Sequence, residues 1–395
     1  FKDILKLKPS FGDINLAYLS LESGQLSKCI RQCEAIIKIN TEDANAYDIL
    51  GLAHIRRGNF DKGIEQFEKA IEIDPYSIDT YINLAKAYVL VGNNEDAIKS
   101  LEKLILTDPN NVNARMILAN IYINEGNIDK STKTLEKVLD IRPDYPPAYA
   151  LASLYLLKGR IDEAIGLFNR ALKIDPENPL LYTDFAVAYQ QINKLQASIL
   201  YGQKAIQLNE DMPSFRIIMT NLYTANGEIS KAKEQVKSIL MLNDDEKKEY
   251  SDLIDMCQRN IEKGKQATLS LNKAIVARQR GFFHLAIKEF TSASKIFPEN
   301  IISKVFLADT YLSLNQKDQA IKMYTEIIIS KPEFVSSYDY LGKAYLMSQK
   351  QDEAIATFQD YIKLDDKSVP ARLNLAGLLL KKGSTEDATK IIEEV

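Results

Sequence analysis

The chain has 395 residues, a formal net charge of −4 and a pI near 5.6, with acidic and basic residues interleaved throughout. It carries no basic stripe of the kind that phosphate backbones require, so no nucleic-acid partner is expected. No apolar run reaches membrane-spanning length, so no membrane insertion is expected within this segment. Two histidines and three cysteines leave little material for metal or triad chemistry.

Residues 1–9, FKDILKLKP, read as the tail of a second helix whose first half is missing. From there a unit of about 34 residues recurs eleven times, with copies beginning at Ser10, Ala44, Ile78, Val112, Tyr145, Pro179, Pro213, Ala267, Ile301, Val335 and Val369. A fixed period in this range marks a solenoid, whose repeats must stack on neighbours to bury their apolar faces. The eighth position of each copy is small, from Ala17 and Gly51 to Gly342 and Ala376, and so is the twentieth, from Cys29 and Gly63 to Ala354 and Ala388. Two such positions, one on each side of a turn, let antiparallel helices approach closely. The turn falls at position fifteen, which holds Gly in eight copies and Asn193 and Asn315 in two more. Both residue types tolerate the left-handed backbone that ends many helices. Pairs such as Leu84 with Tyr88 and Leu118 with Tyr122 place large apolar groups on one helical face. Proline at position thirty-two, as in Pro75 and Pro109, stops the second helix.

The pattern departs from itself once. Gly227 and Gly281 lie 54 residues apart, twenty more than the period. The extra stretch spaces Tyr250, Leu253, Ile254, Cys257 and Ile261 as one amphipathic helix over 247–266. Two readings stand, a docking or hinge element and a packing helix that offsets the array. Lys273 supports a boundary here, because the other copies have Leu, Phe or Met at that seventh position. The expected organisation is an N-terminal array over 1–244, an inserted helix over 245–266 and a C-terminal array over 267–395. The chain opens at Phe1 without a Met and stops at Val395 within a second helix, so a fragment or processed chain is expected, one from which a signal peptide, anchor or catalytic domain could have been cut.

Leu at seven, a small residue at eight, Tyr at eleven, Ala at twenty and Pro at thirty-two resemble the tetratricopeptide repeat family over nearly the whole chain. The family's Trp at position four is absent; Tyr47, Tyr81, Tyr182 and Tyr338 stand there instead. The resemblance implies an all-α fold, a right-handed superhelical solenoid of about eleven helix-turn-helix units interrupted by one extra helix. Catalytic signatures are lacking: no phosphate loop, nucleophile elbow or HExxH pattern occurs. Cys29 and Cys33, four apart, hold packing positions twenty and twenty-four, and His54 stands where seven copies have Tyr. These read as core residues; no metal, cofactor or catalytic site is expected, and the chain reads as a non-enzyme.

In this family the first helices line a concave groove through positions two, five, six, nine, twelve and thirteen. Carried onto this sequence, the groove candidates are Arg56 in copy two, Asn83 and Lys86 in copy three, and Asn120 and Asn124 in copy four. Tyr149 in copy five, Asp184 and Gln190 in copy six, and Asn221 in copy seven complete the set. An amide both donates and accepts, so it can pair with a peptide backbone of any sequence. Asparagine at position six resembles the groove ladder of O-GlcNAc transferases, although the ladder is broken here. The carboxylate-clamp pattern of chaperone-binding members is not met. Three readings of function follow: a scaffold binding a protein or peptide segment in its groove, the substrate-recruiting arm of a larger glycosyltransferase, or a scaffold of bacterial export or exopolysaccharide secretion.

Overall fold

The computed structural model describes residues 9–143, 145, 148–239 and 242–393, in which twenty-three helices and no strand occur. Contacts within it define two compact units, Phe1–Tyr145 and Pro146–Val395. The first holds α1 (Pro9–Glu22), α2 (Leu26–Ile39), α3 (Ala44–Arg56), α4 (Phe60–Ile73), α5 (Ile78–Leu90), α6 (Asn94–Thr107), α7 (Val112–Asn124) and α8 (Ile128–Ile141). The second begins with α9 (Ala148–Leu157), α10 (Ile161–Ile174), α11 (Pro179–Gln191), α12 (Leu195–Leu208), α13 (Pro213–Ala225) and α14 (Ile229–Lys237). It continues through α15 (Asp244–Arg259), α16 (Ile261–Gln279), α17 (Phe283–Ile296), α18 (Ile302–Ser313), α19 (Lys317–Ser330), α20 (Ser336–Met347), α21 (Gln351–Leu364), α22 (Val369–Lys382) and α23 (Thr385–Glu393).

Within each unit a helix packs on the one before it and the one after, as stacked pairs must. The pairs close on the small positions. Ala85, Ala119, Ala186 and Ala308 at position eight are fully buried, as are Cys29, Ala97, Ser198 and Ala320 at position twenty. In copy six the two positions touch directly, Ser198 Oγ donating to the Ala186 carbonyl at 2.5 Å. Around them Phe67, Leu84, Leu101, Leu104 and Leu118 form a continuous apolar cluster in the first unit. Tyrosine fills the space expected of Trp: Tyr81 is buried, and the Tyr182 ring lies 6.2 Å from that of Tyr201 in a tilted arrangement.

Every turn between paired helices uses the left-handed region. Eight glycines occupy it, and Asn193 and Asn315 adopt φ of 58°. The eleventh is Gln349 at φ 60°, a residue whose side chain gives no sign of that conformation. The turn closes as a Schellman motif: the Gly58 N–H donates to the Ile55 carbonyl and the Asn59 N–H to the His54 carbonyl, and the same pair of bonds recurs at Gly92 and Asn93. Opposite ends are capped by side chains, Asp43 accepting from Ala46 N–H and Asn111 from Ala114 N–H.

The inserted segment differs from expectation. One helix was expected over 247–266, but α15 ends at Arg259 and α16 begins at Ile261. The cause is Asn260, whose N–H closes α15 on the Met256 carbonyl while its Oδ1 accepts from Lys263 N–H at 3.2 Å to start α16. Gly264 lets the two helices meet: a Cβ there would lie 2.8 Å from Cys257 Cβ. A capping box, with Asn243 and Glu246 each bonding the other's backbone, starts α15. Residues 261–266 are therefore the opening of copy eight's first helix, lengthened to 19 residues. The insertion lies inside the second compact unit.

Candidate interaction grooves

Groove positions face different surroundings in the two units. In the first, Arg56 reaches from the end of α3 to α1, donating to the Leu21 carbonyl at 2.8 Å and to Glu22 at 2.7 Å. Asn83 donates from α5 to both oxygens of Asp48 on α3, at 3.3 and 3.4 Å. Burial pushes the Asp48 carboxyl above its ordinary range, and hydrogen bonds from Asn83 and Thr80 oppose the shift. Lys86, Asn120 and Asn124 are exposed. Beside them the apolar groove positions Tyr18 and Leu90 are 51% and 60% exposed. The first unit thus presents amides, two cations and apolar side chains to solvent along its first helices. The side chain of Tyr149 lies outside the described residues.

The second unit is different because α16 lies against α13, α11 and α9, the first helices of copies seven, six and five. Three expected groove residues are therefore covered by the chain itself. Asn221 is buried and its Nδ2 donates to Asn272 Oδ1 on α16 at 2.7 Å. Asn272 Nδ2 passes the chain on to Gln190 Oε1 at 2.8 Å. Asp184 is buried between Ser153, which donates at 3.2 Å, and the guanidinium of Arg280. Burial raises the Asp184 carboxyl pKa, and Arg280 and Ser153 restrain the rise. Gln279 Nε2 adds a bond to Ser214 Oγ at 2.7 Å.

The inserted helix makes a second set of contacts of this kind. Glu246 accepts from Tyr340 at position six of copy ten, and Ser336 of the same copy meets Asp245 at 3.5 Å. Glu249 pairs with Lys331, and its backbone carbonyl accepts from Asn300 at 2.8 Å. Sequence reasoning did not place Arg280, Ser153 or Tyr340 in any site. The signals present were the uninterrupted helical pattern from 261 to 279 and the acidic opening of α15.

Of the residues weighed for chemistry, Cys29 and Cys33 pack as core, whereas His54 is half-buried. Cys29 and Cys33 are fully buried, and burial together with the neighbouring Cys29 raises the Cys33 thiol. The His54 Nδ1 is buried without a partner, and burial lowers its pKa toward the neutral ring. Lys273 is half-buried; desolvation pushes its ammonium pKa down, against the pull of Glu289. Among the described residues no group of three or more His, Cys, Asp or Glu is placed to hold a metal, and no helix is long and apolar enough to cross a membrane.

Family models described as "Tetratricopeptide repeat" match residues 54–110, 91–155 and 306–369, and one described as "TPR repeat" matches 152–193. Together they span more than half of the 395 residues. The chain belongs to the tetratricopeptide repeat family. Protein interaction is the typical role of that family, and an all-α repeat solenoid is its fold. Among solved structures, MamA is 25% identical, over 41% of this chain and 95% of its own, with a TM-score of 0.38. YrrB, described as a TPR protein with an unusual peptide-binding site, is 20% identical over 45% of this chain and 92% of its own, with a TM-score of 0.37. A tetratricopeptide repeat protein from Parabacteroides merdae ATCC 43184 is 19% identical over 62% of this chain and 98% of its own, with a TM-score of 0.43. No curated protein sequence matches the chain.

Proposed function

We propose that this tetratricopeptide repeat chain is a non-catalytic scaffold that holds a protein or peptide segment along the first helices of its first unit, with no nucleic acid among its ligands. The observation that carries this reading is the open state of that face. Lys86 and Asn120 at position nine and Asn124 and Leu90 at position thirteen are exposed there, whereas in the second unit Asn221 at position nine is buried, as are the groove residues Asp184 and Gln190 at positions six and twelve. Exposed amides supply sequence-independent backbone pairing, and the apolar positions supply pockets for alternate side chains. Arg56, Asn83 and Asp48 set the floor of this groove by tying successive first helices together. On this reading the first unit takes the external segment.

A peptide library displayed on beads tests the reading. Peptides selected on the whole chain are measured against Asn120→Ala with Asn124→Ala, and against Glu72→Ala with Lys133→Ala on exposed faces of the second helices. Each amide lost from a bound hydrogen bond costs about 0.5–1.5 kcal/mol, so the groove pair weakens binding roughly ten- to a hundredfold if the losses add. Equal loss from both pairs, or none from the groove pair, removes the groove from consideration.

A further inference from the structure

The face made by α9, α11 and α13 is covered, and what covers it has the composition of a ligand seam. Where helices of the first unit meet, the buried polar side chains among the described residues are hydroxyls alone, those of Ser20, Thr80, Ser131 and Thr132, with no amide or carboxylate. Across the seam with α16 they include Ser153, Asp184, Gln190, Asn221 and Asn272. Each buried polar group must find a partner or lose its hydration without return, so a seam that never opens is best served by apolar complementarity. Polar pairs serve instead to fix register, as a single buried asparagine does between coiled helices. The amide chain from Asn221 through Asn272 to Gln190 and the ion pair of Arg280 with Asp184 are such register marks.

Coverage is incomplete at one end. Gln190 Nε2 is buried and has no partner, and Gln190 lines a cleft of about 280 Å³ with Lys265, Gln266 and Leu269 of α16. At the other end Arg280 stands eight residues beyond Asn272, about two helical turns. We propose that the face formed by α9, α11 and α13 is a helix-binding site held closed by α16 as its resident ligand. Its external partner is an α-helix that presents an amide and, two turns on, an arginine.

The specificity follows from the partners already paired. Asp184 supplies a buried carboxylate that a cation can pair with, and an arginine does so while donating several hydrogen bonds. Gln190 and Asn221 favour an amide, because a carboxylate has no proton to donate to Gln190 and a hydroxyl must donate and accept through one oxygen, whereas Asn272 uses two separate atoms. Being tethered, α16 competes at high effective concentration, so an added helix of the same sequence gains the face of the native chain only at high concentration and gains it more readily when the tethered helix is weakened. Opening separates copies eight to eleven from copies five to seven, because α16 is also the first helix of copy eight and packs on α17. The proposal concerns the second unit and is independent of the groove assigned to the first.

The probe is a fluorescein-labelled peptide with the sequence of residues 261–281, titrated into the whole chain. Asn272→Ala with Arg280→Ala weakens the resident helix and is expected to tighten peptide binding at least tenfold over the native chain. Adding Asp184→Ala to that variant is expected to return binding to the native level. Equal affinity of the native and doubly substituted chains overturns the proposal. Should the double variant fail to fold, hydrogen exchange on the native chain decides. Faster exchange in α16 at the highest soluble peptide concentration supports the proposal, and unchanged exchange there overturns it.

Discussion

Replacing Gly342 by Ala tests whether the small eighth position is set by helix approach. Gly342 lies in α20, and a Cβ on it would sit 2.5 Å from Cζ and 2.8 Å from Cε1 of Phe358 on the paired helix α21. The Phe358 ring is fully buried, so it cannot swing to solvent to make room. Two effects oppose each other. Within a helix, Gly→Ala gains about 0.5–1 kcal/mol through lost backbone freedom of the unfolded chain. Overpacking a closed contact costs about 1–3 kcal/mol. The clash term is the larger, so Gly342→Ala is expected to destabilise copy ten by up to about 2 kcal/mol. Gly377, in α22, is the internal control: it is exposed and a Cβ there meets nothing within 4 Å. Gly377→Ala should therefore stabilise by the helix term alone. A solenoid need not unfold in one step, so the assay is hydrogen exchange resolved along α20, α21 and α22, with urea unfolding followed by circular dichroism alongside. Equal stabilisation by both substitutions would refute the argument that the pairs close on their small residues.

Three further outcomes are expected. Gln349→Gly relieves about 1–2 kcal/mol of left-handed strain at φ 60° against about 0.4–1 kcal/mol of added unfolded-chain freedom, so the urea midpoint should rise modestly, and a fall would contradict the turn geometry. Ala119→Leu, at a fully buried eighth position, should cost roughly 1–3 kcal/mol and lose exchange protection first in α5 to α8; loss spread evenly over the chain would argue for one cooperative globule. Burial raises the Glu246 carboxyl above its ordinary range, so the folded state holds that proton more tightly than the unfolded state. Its contribution is then present at low pH and lost as pH rises from the ordinary carboxylate value through the raised one, and Glu246→Gln, which still accepts from Tyr340, should flatten this decline in unfolding midpoint with pH.

The repeat was legible because each of its determinants is local. A glycine that must turn, a proline that must stop and two small residues twelve apart act within one copy, so a period of 34 exposes all of them at once. Gln349 escaped because its conformation is imposed by the neighbouring helices, while its side chain has no left-handed preference. The insertion was misread for a related reason. Residues 247–266 carry one continuous apolar stripe, and periodicity alone does not register that Asn260 caps a helix on each side or that Gly264 permits a tight return against Cys257. The same return directs α16 onto α9, α11 and α13, and this decides what the groove positions do. A position number specifies the direction of a side chain on its own helix; it does not specify what a helix forty or eighty residues away lays over it. Asn83 and Asn221 occupy neighbouring positions of the same unit in their copies, six and nine, yet one pairs with the adjacent repeat at a partly open surface and the other is buried against Asn272, 51 residues on. Such long-range closure is physically cheap to encode, since a single capping asparagine and one glycine redirect a helix of 19 residues. It follows that in repeat proteins the residues to inspect for groove occupancy are those at the breaks in the period, more than those in the groove itself.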